Sequence, residues 1–244
     1  MYNASIDQSN MYKSISEFSE HIEHSFDYFK QNSFISSDIS NEINNILILG
    51  MGGSAITGLL FKEILSNKLD IPISVNKKYT IPKWVNNDTL VIACSYSGNT
   101  EETLTSIEKC KEKTSKIIGF TTGGKLYEYI QKFNFNYVLI PKGLQPRAAL
   151  GYSFTLMLLM LNEIGFIDEK TIIGLKNNIN EIVEFSNIFS KNHNENLAFS
   201  IAEKIYDKNP IIYAEDGIFG VIGYRFKCQL VENSKILAFN NIIP

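Results

Sequence analysis

The amino-acid sequence predicts an α/β protein with a doubly wound, parallel sheet and flanking helices, and three observations carry that prediction. Short apolar runs alternate with helical patterns from residue 46 onward, the runs are apolar throughout, and glycine or hydroxyl residues follow two of them. Alternation of this kind means parallel strands joined by crossover helices. Continuous apolarity, in place of an in–out alternation, is what a strand needs when helices cover both faces of its sheet.

From Met11 to Lys30 the residues Ile15, Phe18, Ile22, Phe26 and Phe29 recur at helical steps, which predicts a leading amphipathic helix. A strand at Ile46–Leu49 then closes on Gly50, and a helix follows over Ser54–Leu65, where Ile56, Leu59, Leu60 and Ile64 share a face. Next come an extended segment at Ile71–Val75, a strand at Thr89–Cys94, a helix from Asn99 to Lys111, a strand at Lys116–Phe120, a helix near Lys125–Phe133 and a strand at Tyr137–Ile140.

Beyond Pro146 a very apolar helix is expected over Ala148–Ile164, then a more polar helical stretch from Glu169 to Phe189. The α/β pattern restarts with a helix at Asn196–Lys204, a strand at Ile211–Glu215, a helix around Phe219–Val231 and a strand at Lys235–Phe239. The expected organisation is therefore an N-terminal helical segment (1–43), a first α/β domain (44–165), a helical connector (166–194) and the start of a second, similar domain (195–244). Two strands do not make an independent sheet. The expectation is a C-terminally truncated chain, and the alternative is that these strands extend the first sheet.

Composition narrows the function classes. The 244 residues are 44% hydrophobic, enough for a substantial core in one or two domains. The longest largely apolar stretch, Phe154–Leu161, falls short of the roughly 20 residues that cross a bilayer. With no signal-peptide pattern, a cytoplasmic protein with no membrane partner is expected. The net charge of −3 comes from interspersed acids and bases, and no basic stripe is present to meet nucleic acid. Three widely separated cysteines, Cys94, Cys110 and Cys228, argue against a disulfide framework or a close-spaced zinc site. Arginine occurs only at Arg147 and Arg225.

The chemistry concentrates in two loops. Ser95, Tyr96, Ser97, Gly98, Asn99 and Thr100 follow an apolar strand and open a helix, so hydroxyls and unpaired amides crowd one turn, as a phosphate cradle requires. The plainer alternative is that Ser97 or Asn99 merely caps the helix. The run Gly50, Met51, Gly52, Gly53, Ser54, Ala55 loosely fits a dinucleotide fingerprint. That fold also wants a carboxylate at the end of the second strand, where this chain has Asn76, Lys77 and Lys78. Room for a ligand beside Gly52 and Gly53, with the Ser54 hydroxyl in reach, explains the run better; a structural tight turn is the remaining alternative.

The segments GMGGSA after ILIL and SYSGNTEE after LVIAC resemble the two phosphosugar loops of the sugar isomerase (SIS) domain. PRAALGYSF from Pro146, ENSK from Glu232 and FNNIIP from Phe239 narrow the likeness, and together the motifs resemble the bifunctional phosphoglucose/phosphomannose isomerase family, whose members carry two SIS domains in tandem. The resemblance implies that Ser95, Ser97 and Thr100 hold a sugar phosphate with Ser54 beside them, that Arg147 stabilises charge on an enediolate oxygen, and that Glu232 is the catalytic base. It implies an intramolecular oxidoreductase that interconverts glucose 6-phosphate or mannose 6-phosphate with fructose 6-phosphate, needs no redox cofactor or metal, and works as a homodimer with each site completed across the interface. The apolar helix at Ala148–Ile164 is a candidate contributor to that interface.

The family's ring-opening histidine and a later lysine have no counterpart before Pro244, so the alternative is a non-catalytic phosphosugar-binding SIS module. His21, His24 and His193 lie outside that motif and are expected to be ordinary histidines. His21 and His24 are three apart on a helix but lack a third metal ligand.

Overall fold

A computed structural model of the chain describes residues 5–40, 42–190 and 196–244. They form two compact units, one made by Glu17–Asn177 and the other by the described residues before and after it. In chain order the helices are α1 (Met11–Ser16), α2 (Phe18–Asn32), α3 (Gly52–Leu65), α4 (Glu101–Lys111), α5 (Gly124–Phe133), α6 (Leu150–Glu163), α7 (Glu169–Asn177), α8 (Ile179–Ser190), α9 (Leu197–Ile205) and α10 (Ile218–Gln229). The strands are β1 (Ser33–Phe34), β2 (Asn45–Leu49), β3 (Ile73–Asn76), β4 (Thr89–Ser95), β5 (Ile117–Thr121), β6 (Asn136–Leu139), β7 (Ile211–Glu215) and β8 (Phe239–Ile243).

In the Glu17–Asn177 unit, six strands make a sheet in the order β1-β6-β5-β4-β2-β3, parallel except for the short edge pairing of β1 with β6. Successive residues of the central strands enter opposite layers. Ile46 and Ile48 of β2 join Leu90, Ile92, Ile118 and Phe120 against Phe61, Leu156, Met157 and Leu161 of α3 and α6. Leu47 and Leu49 join Val91, Ala93 and Ile117 against Ile107, Leu126 and Ile130 of α4 and α5. Each fully buried Leu or Ile contributes roughly 1.5–3 kcal/mol. This two-sided burial is why β2, β4 and β5 read as unbroken apolar runs.

The leading helix is divided, because Glu17 separates α1 from α2; Ile22 and Phe29 of α2 are buried. The helical stretch expected over residues 169–189 is likewise two helices, α7 and α8, separated at Asn178. Arg147 begins no α-helix: Pro146–Ala148 is a single 3-10 turn, after which α6 starts.

In the other unit β7 and β8 pair in parallel, from Ile211 with Phe239 to Glu215 with Ile243, and make a sheet of their own instead of extending the first. The last strand is displaced from its predicted position. It was expected at Lys235–Phe239 and is found at Phe239–Ile243, because a π-helical turn over Leu230–Ser234 prolongs α10 and Lys235 then takes a left-handed φ of 57°. Among the described residues no helix is long and apolar enough to cross a membrane.

Candidate active site

Strand order singles out one place for a ligand. The chain leaves β2 for β3 on one side of the sheet and leaves β4 for β5 on the other, while β2 and β4 are neighbours. Their C-terminal ends therefore flank a topological switch point, where open α/β sheets form a crevice. Both loops singled out in the sequence, Gly50–Gly53 and Ser95–Thr100, stand there.

In the second loop the β-strand runs through Ser95, which is buried, with its Oγ 2.7 Å from Oγ1 of Thr100. The Thr100 N–H also donates to Ser95 Oγ at 3.4 Å. Thr100 stands at the N-cap of α4 but does not cap it with its side chain; the hydroxyl turns to Ser95 instead. Ser97 is exposed, and its Oγ accepts from the Asn99 N–H at 3.2 Å. Asn99 reaches across to the next loop, its Oδ1 accepting from the Lys125 N–H at 3.2 Å. Gly98 has φ +71°, and a Cβ there would lie 1.8 Å from the carbonyl oxygen of Gly123. Only glycine allows the loops after β4 and β5 to meet so closely.

Ser54, in the first turn of α3, accepts at Oγ from the Tyr96 N–H at 3.3 Å and so ties the first loop to the second. Gly52 and Gly53 open the same helix; a Cβ on Gly53 would lie 3.0 Å from the Pro146 carbonyl oxygen, which brings the turn bearing the half-buried Arg147 against the first loop. Farther along, Thr57 Oγ1 and Ser153 Oγ are 2.9 Å apart and join α3 to α6. Tyr96, which the sequence reading did not assign a role, is the hub. Its hydroxyl donates to the Pro141 carbonyl at 2.9 Å and accepts from the Leu144 N–H at 3.0 Å, and burial pushes its phenol above the ordinary pKa. The signal available in the sequence was its place between two serines.

The N-termini of α3, α4 and α5 follow β2, β4 and β5, and none is capped by the side chain of its own N-cap residue, although Asn99 takes the Lys125 N–H in the first turn of α5. Three helix dipoles thus present partial positive charge at one edge of the sheet, suited to an anion. A recess of about 530 Å3 lies elsewhere in this unit, between α2, α6 and α7, and includes none of these residues.

Glu232 belongs to the other unit, exposed on the π-helical turn after α10. Arg225 lies two turns earlier on the same helical run; burial lowers the pKa of its guanidinium, and Cys228 and Glu232 oppose that shift. His21 stacks on Tyr152 with ring centroids 4.6 Å apart, and His24 Nδ1 is 3.0 Å from the Tyr152 hydroxyl. His193 lies outside the described residues.

Comparison with known proteins supplies the family. The SIS domain model matches residues 39–163, and the model of the bacterial phospho-glucose isomerase C-terminal SIS domain matches residues 194–244. A bifunctional phosphoglucose/phosphomannose isomerase of Caldicellulosiruptor bescii is 40% identical over 239 residues, covering 95% of this chain and 68% of that protein. The chain belongs to the bifunctional phosphoglucose/phosphomannose isomerase family. Another member of the family, from Thermoplasma volcanium, is 37% identical over 201 residues, covering 81% of this chain and 59% of its own length. The chain thus spans between 59% and 68% of these two relatives. The solved C-terminal domain of glucosamine-fructose-6-phosphate aminotransferase from Francisella tularensis has the same fold, with a TM-score of 0.71 over 95% of this chain and 69% of that one, at 17% identity.

Proposed function

We propose that this chain carries the substrate-binding machinery of a sugar-phosphate aldose–ketose isomerase, acting on glucose 6-phosphate, mannose 6-phosphate or both to give fructose 6-phosphate. The observation that carries the reading is the pairing of two hydroxyl-rich loops at the switch point, locked together through Tyr96 and Ser54 beneath three helix N-termini. In this reading Ser54, Ser95, Ser97 and Thr100 hold the phosphate, with Gly52 and Gly53 giving it room. Glu232, by its place in the ENSK motif, takes the proton from C2 of the open-chain aldose. An enediolate forms across C1 and C2, the hydroxyl proton passes from O2 to O1, and return of the first proton to C1 gives the ketose. Arg147, a permanent cation, steadies the enediolate oxygen. The proton balance closes without a redox cofactor.

The family names of the relatives support hexose phosphates as substrates. We further propose a cytoplasmic homodimer and a first SIS domain over residues 44–165, led by the segment 1–43 and joined by residues 166–194 to a second SIS segment over 195–244. The test is a coupled assay of glucose 6-phosphate and mannose 6-phosphate turnover alongside calorimetric binding of fructose 6-phosphate. Glu232→Gln is expected to abolish turnover and keep binding, and the double variant Ser95→Ala/Thr100→Ala to lose binding. Binding by the unaltered chain with no turnover would favour the non-catalytic phosphosugar module; turnover surviving Glu232→Gln would reject the base assignment.

A further inference from the structure

We propose that Lys142 is the cation that meets the phosphate ester at the second loop, an assignment that rests on the phosphosugar reading of that site. The loop itself offers only neutral donors, Ser95, Ser97 and Thr100, while the first turn of α4 carries Glu101 and Glu102. Two carboxylates at the same helix end repel a dianionic ester, and the helix dipole only partly offsets them. A mobile ammonium nearby reverses the balance.

Lys142 is held in position to do so. It lies in the turn after β6, and Tyr96 grips that turn on both sides, donating from its hydroxyl to the Pro141 carbonyl at 2.9 Å and accepting from the Leu144 N–H at 3.0 Å. The residue between two phosphate-loop serines therefore sets where Lys142 starts. The Lys142 Nζ stands 3.4 Å from the point a Cβ on Gly123 would occupy, and the Gly123 carbonyl abuts Gly98 of the second loop. Gly123 is thus the residue that both the ammonium and Gly98 approach. Lys142 is exposed, and among the described residues no carboxylate forms an ion pair with it. A flexible stem ending in a compact charge with three donors suits an ester that must enter and leave.

The test measures fructose 6-phosphate affinity by calorimetry for the 244-residue chain, for Lys142→Gln and Lys142→Arg, and for the Ser95→Ala/Thr100→Ala double variant, each at low and high salt. Thermal midpoints check folding; an exposed lysine is expected to leave them unchanged. Lys142→Gln should weaken binding about tenfold or more, the loss of one charge-assisted hydrogen bond, and remove most of its salt dependence. Lys142→Arg should restore most of the affinity. Unchanged affinity and salt dependence in Lys142→Gln, with binding lost in the double variant, overturns the assignment of Lys142 and leaves the phosphosugar reading standing. Full binding by the double variant, or none by the unaltered chain, overturns the reading and Lys142 with it.

Discussion

The backbone N–H of Tyr96 donates to Ser54 Oγ across 3.3 Å, and this bond joins the loop after β2 to the loop after β4. Because the Tyr96 hydroxyl also grips the turn after β6, three loops from separate strands share one anchor. A ligand that touches any of them meets a site whose ordering was completed on folding, so less entropy is lost on binding.

Ser54→Ala removes the acceptor of that bond and one proposed phosphate donor. Fructose 6-phosphate affinity is expected to fall by about 1–2 kcal/mol, the net worth of one or two hydrogen bonds, with a thermal midpoint only slightly lowered. Calorimetry and a thermal scan on the same preparation check both halves; equal affinity would show that Ser54 serves the fold alone.

Gly98→Ala tests the contact between the loops after β4 and β5. The new Cβ would demand a left-handed backbone and would meet a backbone carbonyl at 1.8 Å, which no side-chain rotation relieves. The expected cost is about 3 kcal/mol, combining conformational strain with overpacking. Urea unfolding followed by circular dichroism measures it, and a shift below about 1 kcal/mol would mean the loops separate without penalty.

Stability should depend on pH through His21. Burial lowers its pKa from 6.5, against opposing pulls from Glu17 and Glu20, and His24 adds to the lowering. Between that lowered folded value and 6.5 the unfolded chain binds more protons than the folded one, so stability rises with pH across this window. The folded state is therefore expected to weaken as pH falls below 6.5 and to gain nothing from this group above it. His21→Gln should flatten that part of the profile, measured as urea midpoints from pH 5 to 8.

Thiol reactivity should separate the three cysteines. Burial pushes the Cys94 and Cys110 thiols up to about 12, whereas Cys228 is partly exposed. At pH 8 a thiol of that kind is thiolate in about one molecule in ten thousand. Native protein should react with a disulfide reagent at Cys228 only, and at all three in denaturant; prompt native labelling of Cys94 or Cys110 would mean that the sheet opens.

The proposed phosphate loops were legible because their signal is local. Apolar runs such as Ile46–Leu49 and Leu90–Ala93, covered on both faces, end at glycine and hydroxyl residues that no core position would choose. Tyr96 was missed because its role lies in contacts 42 and 48 residues away, with Ser54 and Leu144. The displaced last strand has a similar cause. Ile236 and Leu237 suit a strand, yet the π-helical turn and the left-handed Lys235 delay it to the point where Phe239 pairs with Ile211.

The residue pattern alone determined the α/β class, most of the succession of strands and helices, and the two loops rich in hydroxyls, since periodicity and turn chemistry act over a few residues. Only the tertiary structure decided that β2 and β4 lie side by side, that Tyr96 fastens three loops together, and that Lys142 stands beside Gly123. Strand order and contacts between distant residues depend on how the whole apolar surface is buried, and no short stretch of sequence encodes that.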